Sequence, residues 1–362
     1  MDMRPTAEQT LIQTTFTRFF AERCPLARVR SLEEGDGHAR DVWAGLADLG
    51  ALGMLIGEAQ GGLESGFGDV ALICEAMGGA LYPSPFLWTC VVAPWLIERL
   101  ADQSSAADWL MRIARGQAII ALPGVVADAD RLRATPCAAG YCLAGEALFV
   151  EYAQHADALL CAAATPDGVD MFLIPRERAG LALARQHEIS GGQFYRVVFS
   201  DVQVQRGERL GAASAELLEQ ALDRGRVALA ARMVGAAQRA FDLTASYLRE
   251  RTQFGQPLLR FQALNFRLAA LLTRIEAARL LAYEAAWLIE QGQPFAQAAL
   301  IAKVQAAEIY RDMAAEAIQL HGGFGFTAEA NPQLFYRRAA VDAMLLGTAT
   351  ALRERLAQQL AL

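Results

Sequence analysis

Arg251, in the run Arg251-Thr252-Gln253-Phe254-Gly255-Gln256-Pro257, carries a planar, permanently charged fork of donors that suits a diphosphate. Gln319, in Ala317-Ile318-Gln319-Leu320-His321-Gly322-Gly323-Phe324-Gly325-Phe326, can hydrogen-bond a polar cofactor. The glycine pair after it places no side chain between the backbone and a phosphate. The same pair also suits a plain helix end, where glycine is common. His321 between them reads as a cap or packing residue.

Helices must hold both stretches in place. Val227, Ala230, Val234, Ala237, Phe241 and Leu248 recur at three- and four-residue spacing, which predicts a helix through this stretch. Two further helices are expected at about 261–291 and 295–320. Near the N-terminus, Ile12, Phe16, Phe19 and Phe20 share one helical face, and a second amphipathic run through Trp43, Leu46 and Leu49 stops at Gly50. Leu49 to Asp69 carries seven glycines, a density that demands a shaped loop with positive φ or close backbone approach. From about Ala118 the pattern turns strand-like: IIALPGVV, GYCLAGEALFVEY, ADALLCAAAT, VDMFLIP and YRVVFSDVQV, with a Thr165-Pro166-Asp167-Gly168 turn between the third and fourth. The expected architecture is α+β: a helical domain over 1–117, a middle β domain over 118–212 and a C-terminal four-helix bundle over 213–362.

Composition narrows the class. Hydrophobic residues make up 54% and charged residues 20%, an apolar surplus that points to a subunit interface. The net charge of −7 and the absence of a Lys/Arg run exclude a nucleic-acid footprint. No apolar stretch reaches the ~20 residues that span a bilayer, and no secretion signal is present, so a cytoplasmic protein without a membrane partner is expected. Cys24, Cys74, Cys90, Cys137, Cys142 and Cys161 lack metal-ligand spacing and are expected as reduced thiols. The closest pair, Cys137 and Cys142, reads as strand filler.

The order α, β, α and the stretches LGALGMLIGEAQGGLESGFGD, VVFSDVQV, RTQFGQP with Phe261-Gln262-Ala263, and AIQLHGGFGF together resemble the acyl-CoA dehydrogenases, over nearly the whole chain. That resemblance implies a tetrameric flavoprotein in which the adenine and pyrophosphate end of each FAD lies against the C-terminal domain of a neighbouring subunit. It assigns Arg251, Thr252, Phe254, Gln262, Gln319, Gly322 and Gly323 to cofactor binding. It also implies an acyl-CoA thioester as substrate and an electron-transfer flavoprotein or similar acceptor. Arg226 lies where the family has an arginine near the active site, although an ion pair with Asp223 on the same helix explains it equally well.

The family needs a positioned carboxylate to remove the proton beside the thioester. Its common seat precedes a Gly-Thr pair, here Leu346 before Gly347-Thr348; a minority seat corresponds to Gly225. Neither residue accepts a proton. The β-domain stretches that touch the flavin ring in the family correspond to Ala121-Leu122-Pro123-Gly124-Val125-Val126 and Phe149-Val150-Glu151-Tyr152, and neither keeps the expected hydrogen-bonding groups. Glu151 also brings negative charge towards a ring that must stabilise negative charge when reduced. The loss is asymmetric, so the resemblance narrows to the base-lacking subunit of a heteromeric acyl-CoA dehydrogenase, a heterotetramer of the kind used on steroid side chains and other bulky acyl-CoA esters. The alternatives are a homomeric dehydrogenase with an atypical base, Asp342 or Glu151, and a flavin monooxygenase of the same fold.

Overall fold

Thr6 fixes the start of the first helix: its hydroxyl accepts from the Gln9 backbone N–H while the Gln9 side chain accepts from the Thr6 N–H. The computed structural model describes residues 5–124 and 131–360. After α1 (Ala7–Arg23) come α2 (Leu26–Glu34), α3 (Arg40–Asp48), α4 (Phe67–Gly79), α5 (Ala93–Leu100) and α6 (Gln103–Ala114), with a π-helical turn over Leu87–Val92 leading into α5. The glycine-rich segment is a shaped loop. Gly50 and Gly61 sit at φ +75° and +79°, two short 3-10 turns follow its course, and its last residues already open α4 at Phe67.

The middle of the chain forms β1 (Ile120–Ala121), β2 (Leu132–Cys137), β3 (Gly140–Glu151), β4 (Ala158–Thr165), β5 (Gly168–Pro175), β6 (Leu181–Gln186), β7 (Phe194–Gln205) and β8 (Arg209–Ala212). The sheet runs β6-β7-β3-β2-β4-β5-β8, with β1 parallel to β4. Thr165 pairs with Gly168 across the turn read from the sequence. The first expected strand is shorter than its apolar run: only Ile120–Ala121 pairs, and Val125-Val126 lie outside the described residues. β2, β6 and β8 join strands that the apolar runs announce; β6 and β8 are edge strands without a continuous apolar run.

Helices return with α7 (Ala215–Glu250), α8 (Gln262–Glu290), α9 (Ala296–His321), α10 (Pro332–Asp342) and α11 (Ala349–Gln359). A two-strand ribbon, β9 (Thr252–Gln253) with β10 (Gln256–Pro257), sits between α7 and α8.

The described residues divide into two compact units, one within Met1–Ser31, Phe67–Tyr82 and Arg226–Leu362, the other within Leu32–Gly66 and Pro83–Gly225. In the first, α4 and α7 approach through glycines: a Cβ on Gly235 would lie 1.9 Å from the Glu75 carbonyl oxygen, and one on Gly78 1.8 Å from that of Arg232. Glu75 then reaches α8, where its carboxylate accepts from Arg279 Nε at 3.0 Å and from the Tyr283 hydroxyl at 2.5 Å. In the second unit the sheet supplies the core: Leu159, Leu160, Cys161, Phe172, Ile174, Val197 and Val202 are all buried.

Candidate functional site

The loop after α7 presents the first motif. Arg251 follows directly on the helix, its N–H bonded to the Tyr247 carbonyl, and Leu258 N–H closes the loop onto the Arg251 carbonyl at 2.9 Å. At the tip of the β9–β10 ribbon, Phe254 and Gly255 both take positive φ, +53° and +79°, the geometry of a tight two-residue hairpin turn. For a bulky residue that backbone costs about 1 kcal/mol or more. The residue is nevertheless 91% exposed, its ring set edge-on to Phe261 with centroids 6.2 Å apart. A strained, exposed aromatic is a mark of a surface shaped for something outside it.

The second motif sits beside it. Tyr247, one turn before Arg251, stacks on His321 with ring centroids 4.3 Å apart, which joins the end of α7 to the end of α9. His321 Nδ1 is bonded to the Ala317 carbonyl, and burial lowers its pKa; its role is packing and capping. Gly322 takes φ +65° and ends α9, and a Cβ on Gly322 or Gly323 would meet nothing within 4 Å. The glycine pair therefore stops the helix and leaves an open backbone. Arg251, Thr252, Gln319, Gly322 and Gly323 are all exposed, and Gln262 opens α8 on the surface. A groove of about 650 Å³ between α8 and α9 has Gln319 at one end and the Arg267–Glu316 ion pair, 2.9 Å, along its length.

Leu346 is the opposite case. Its side chain is 1% exposed, its φ is +58°, and its carbonyl accepts from Arg226 Nε at 2.9 Å. Arg226, 5% exposed, thus spends a hydrogen bond on the backbone at this position. Below the same turn, Asp342 is buried and accepts from Arg232 Nη2 at 2.9 Å, while buried Lys303 donates to the Asp342 and Ala343 carbonyls at 3.2 and 3.1 Å. Burial brings the Lys303 amine down to about 8, with the Asp342 carboxylate opposing. Gly225, the other seat, lies buried within α7.

In the second unit, Glu151 closes β3 and accepts a hydrogen bond from Trp88 Nε1 at 2.6 Å. Trp88 comes from the π-helical turn and is itself buried. The residues around Glu151 are held equally firmly. Phe149 takes φ +53° with its N–H bonded to Gln186 Oε1 at 2.6 Å, and Tyr152 takes φ +57° with its N–H bonded to the Gln193 carbonyl at 2.7 Å. Sequence reasoning found Glu151 but had no signal for Trp88, 63 residues away.

Two family models match the chain: "Acyl-CoA dehydrogenase, N-terminal domain" over residues 6–117 and "Acyl-CoA dehydrogenase, C-terminal domain" over 215–361. The chain belongs to the acyl-CoA dehydrogenase family. Members of this family are FAD-dependent oxidoreductases acting on acyl-CoA. Among curated relatives, the rat short/branched chain specific acyl-CoA dehydrogenase is 28% identical over 95% of this chain and 83% of its own length. The human short-chain specific acyl-CoA dehydrogenase is 27% identical over 95% and 87%. A solved steroid acyl-CoA dehydrogenase, Tcur3481-Tcur3483, aligns with a TM-score of 0.88 at 30% identity over 98% of both chains. The ChsE4-ChsE5 complex from Mycobacterium tuberculosis aligns with a TM-score of 0.93 at 24% identity, over 100% of this chain and 99% of that one, and shows the shared fold.

In this chain the residues assigned by the family resemblance to the adenine and pyrophosphate end of FAD fit that group: an open glycine backbone, an exposed guanidinium and an exposed amide. The residues at the ring positions do not, because Glu151 is a carboxylate bonded to an indole rather than a small neutral donor. Among the described residues there is no cluster of His, Cys, Asp and Glu suited to a metal, and no helix is long and apolar enough to cross a membrane.

Proposed function

We propose that this chain is the non-catalytic subunit of a heteromeric acyl-CoA dehydrogenase. In this role it lends its ADP-side contacts to the FAD of a homologous catalytic partner that oxidises a bulky or steroid-derived acyl-CoA. Bound FAD supplies a two-electron acceptor for the hydride leaving the substrate. What this chain contributes is placement: Arg251 would neutralise the diphosphate, Gln319 would hydrogen-bond the cofactor, and Gly322-Gly323 would let the backbone approach it.

The observation that carries this reading is the occupied seat of the base. Leu346 is buried inside its own unit and its carbonyl is held by Arg226, so the side chain at that position is no carboxylate. The atypical-base alternative loses support for the same kind of reason. Asp342 is buried in an ion pair with Arg232, and Glu151 is engaged by Trp88. A monooxygenase would also lack the base, but retention of RTQFG and QLHGG speaks against that alternative.

The test is Arg251→Ala in the co-expressed complex. Loss of a charge-assisted contact worth about 1.5–3 kcal/mol should release FAD about 10- to 100-fold more readily from the sites completed by this chain. Unchanged FAD affinity would remove Arg251 from the cofactor and the proposal with it.

A further inference from the structure

Two parts of the second unit fix the direction of the Glu151 side chain. Trp88 Nε1 donates to Glu151 Oε2 at 2.6 Å, and Trp88 belongs to the π-helical turn Leu87–Val92, every residue of which is buried. Such turns collect at functional sites. On the strand side, the β3–β7 register shifts between Ala147 and Val150, and Phe149 within that shift takes φ +53° while remaining 58% exposed. A bulge of this kind re-aims the side chains beyond it. Tyr152 follows Glu151 at φ +57°, so two non-glycine residues in left-handed backbone bracket the glutamate, a strain that persists only where the surroundings over-determine it. The donors along this edge are already engaged: the Trp88 indole N–H by Glu151, the Phe149 N–H by Gln186 Oε1 at 2.6 Å and the Tyr152 N–H by the Gln193 carbonyl at 2.7 Å. What Glu151 itself presents is a carboxylate, which only accepts.

We propose that Glu151, aimed and anchored by Trp88, is the determinant that keeps a flavin ring off this chain's own β domain. The edge of a flavin that takes up a hydride is built of acceptors, a ring nitrogen and the neighbouring carbonyl oxygen, and the ring gains negative charge on reduction. Set against a carboxylate, acceptor meets acceptor and charge meets charge, with the nearby N–H donors turned to other partners. The inference rests on the function proposed above and adds a direction to it: an FAD whose diphosphate is held by Arg251 places its ring on the partner chain, because this chain's ring position repels it.

The experiment is equilibrium dialysis of the full chain, purified alone, against riboflavin, which carries the ring without the adenine and pyrophosphate that Arg251 and Gln319 would hold. Glu151→Gln keeps the shape and an acceptor for Trp88 but removes the charge, Glu151→Thr supplies a small neutral donor, and Glu151→Asp keeps the charge on a shorter stem. Circular dichroism confirms that each variant is folded. The expected result is riboflavin bound about 10-fold or more tightly by the Gln and Thr variants than by the unsubstituted chain, with the Asp variant unchanged. No gain in the Gln variant, an equal gain in the Asp variant, or tight riboflavin binding by the unsubstituted chain would each overturn the inference. An FAD-loaded homo-oligomer of the unsubstituted chain would sink the proposed function itself, whereas the absence of a gain in the Gln variant sinks only the role of Glu151.

Discussion

Arg226 Nε donates to the carbonyl oxygen of Leu346 at 2.9 Å, across 120 residues of sequence. In the role proposed for this chain, Arg226 would secure the turn that carries the family's base, with Leu346 in its place.

Leu346→Glu should not restore dehydrogenation to the chain alone. General bases contribute about 10²–10⁴-fold to rate, but only when ionised and aimed at substrate. A carboxylate in this buried seat would stay protonated or destabilise the fold by about 2 kcal/mol or more. The assay is turnover of straight-chain and bulky acyl-CoA thioesters with added FAD and an artificial acceptor. Measurable turnover would mean that only the base is missing.

The Trp88–Glu151 bond should behave as a coupled pair in a double-mutant cycle. An indole N–H donating to a half-buried carboxylate is worth about 1.5–3 kcal/mol. Trp88→Phe and Glu151→Gln should each destabilise the chain in urea, and the double variant should cost clearly less than the sum. Strict additivity would show that the 2.6 Å contact carries no energy.

Acid should weaken the second unit through His38. Burial first, then the charges of His155 and Arg40, bring its pKa from 6.5 down to about 4, with Asp36 opposing. Its ring lies 5.3 Å from that of His155, 6.0 Å from Trp43 and 6.2 Å from Tyr152, and burial lowers His155 too. Because the folded pKa lies below the unfolded one, the unfolded state binds more protons between the two. Stability is then full above about pH 6.5 and falls as pH drops, by about 2 kcal/mol from His38 alone at pH 5. Urea denaturation at pH 7.5 and 5.0 should show this loss, and His38→Gln should reduce it. An equal loss in the variant would place the acid sensitivity elsewhere.

The long C-terminal helices are legible because their apolar seams are long: Val227, Ala230, Val234 and Ala237 are all buried where the period puts them. The β strands are legible only where the apolar run is continuous. β6, at the sheet edge, alternates half-buried and exposed residues such as Leu181 and Ala182, which read equally well as a loop. For the site, Arg251, Gln319 and the glycine pair stand out because their types fit a phosphate-bearing cofactor. Two further contacts, Trp88 with Glu151 in one unit and Arg226 with Leu346 in the other, are invisible in sequence because the fold alone chooses those partners. The same holds for Asp342: its carboxylate is as good a base as any on paper, and only its burial against Arg232 removes it.

Flavin content tests the central claim most directly. The chain is purified alone and with a co-expressed homologue that carries the missing glutamate, and flavin absorbance is read against native mass. The account predicts little or no FAD on the chain alone, and stoichiometric FAD in a mixed tetramer, at sites whose base belongs to the partner. A homo-oligomer of this chain carrying one tightly bound FAD per subunit would contradict it.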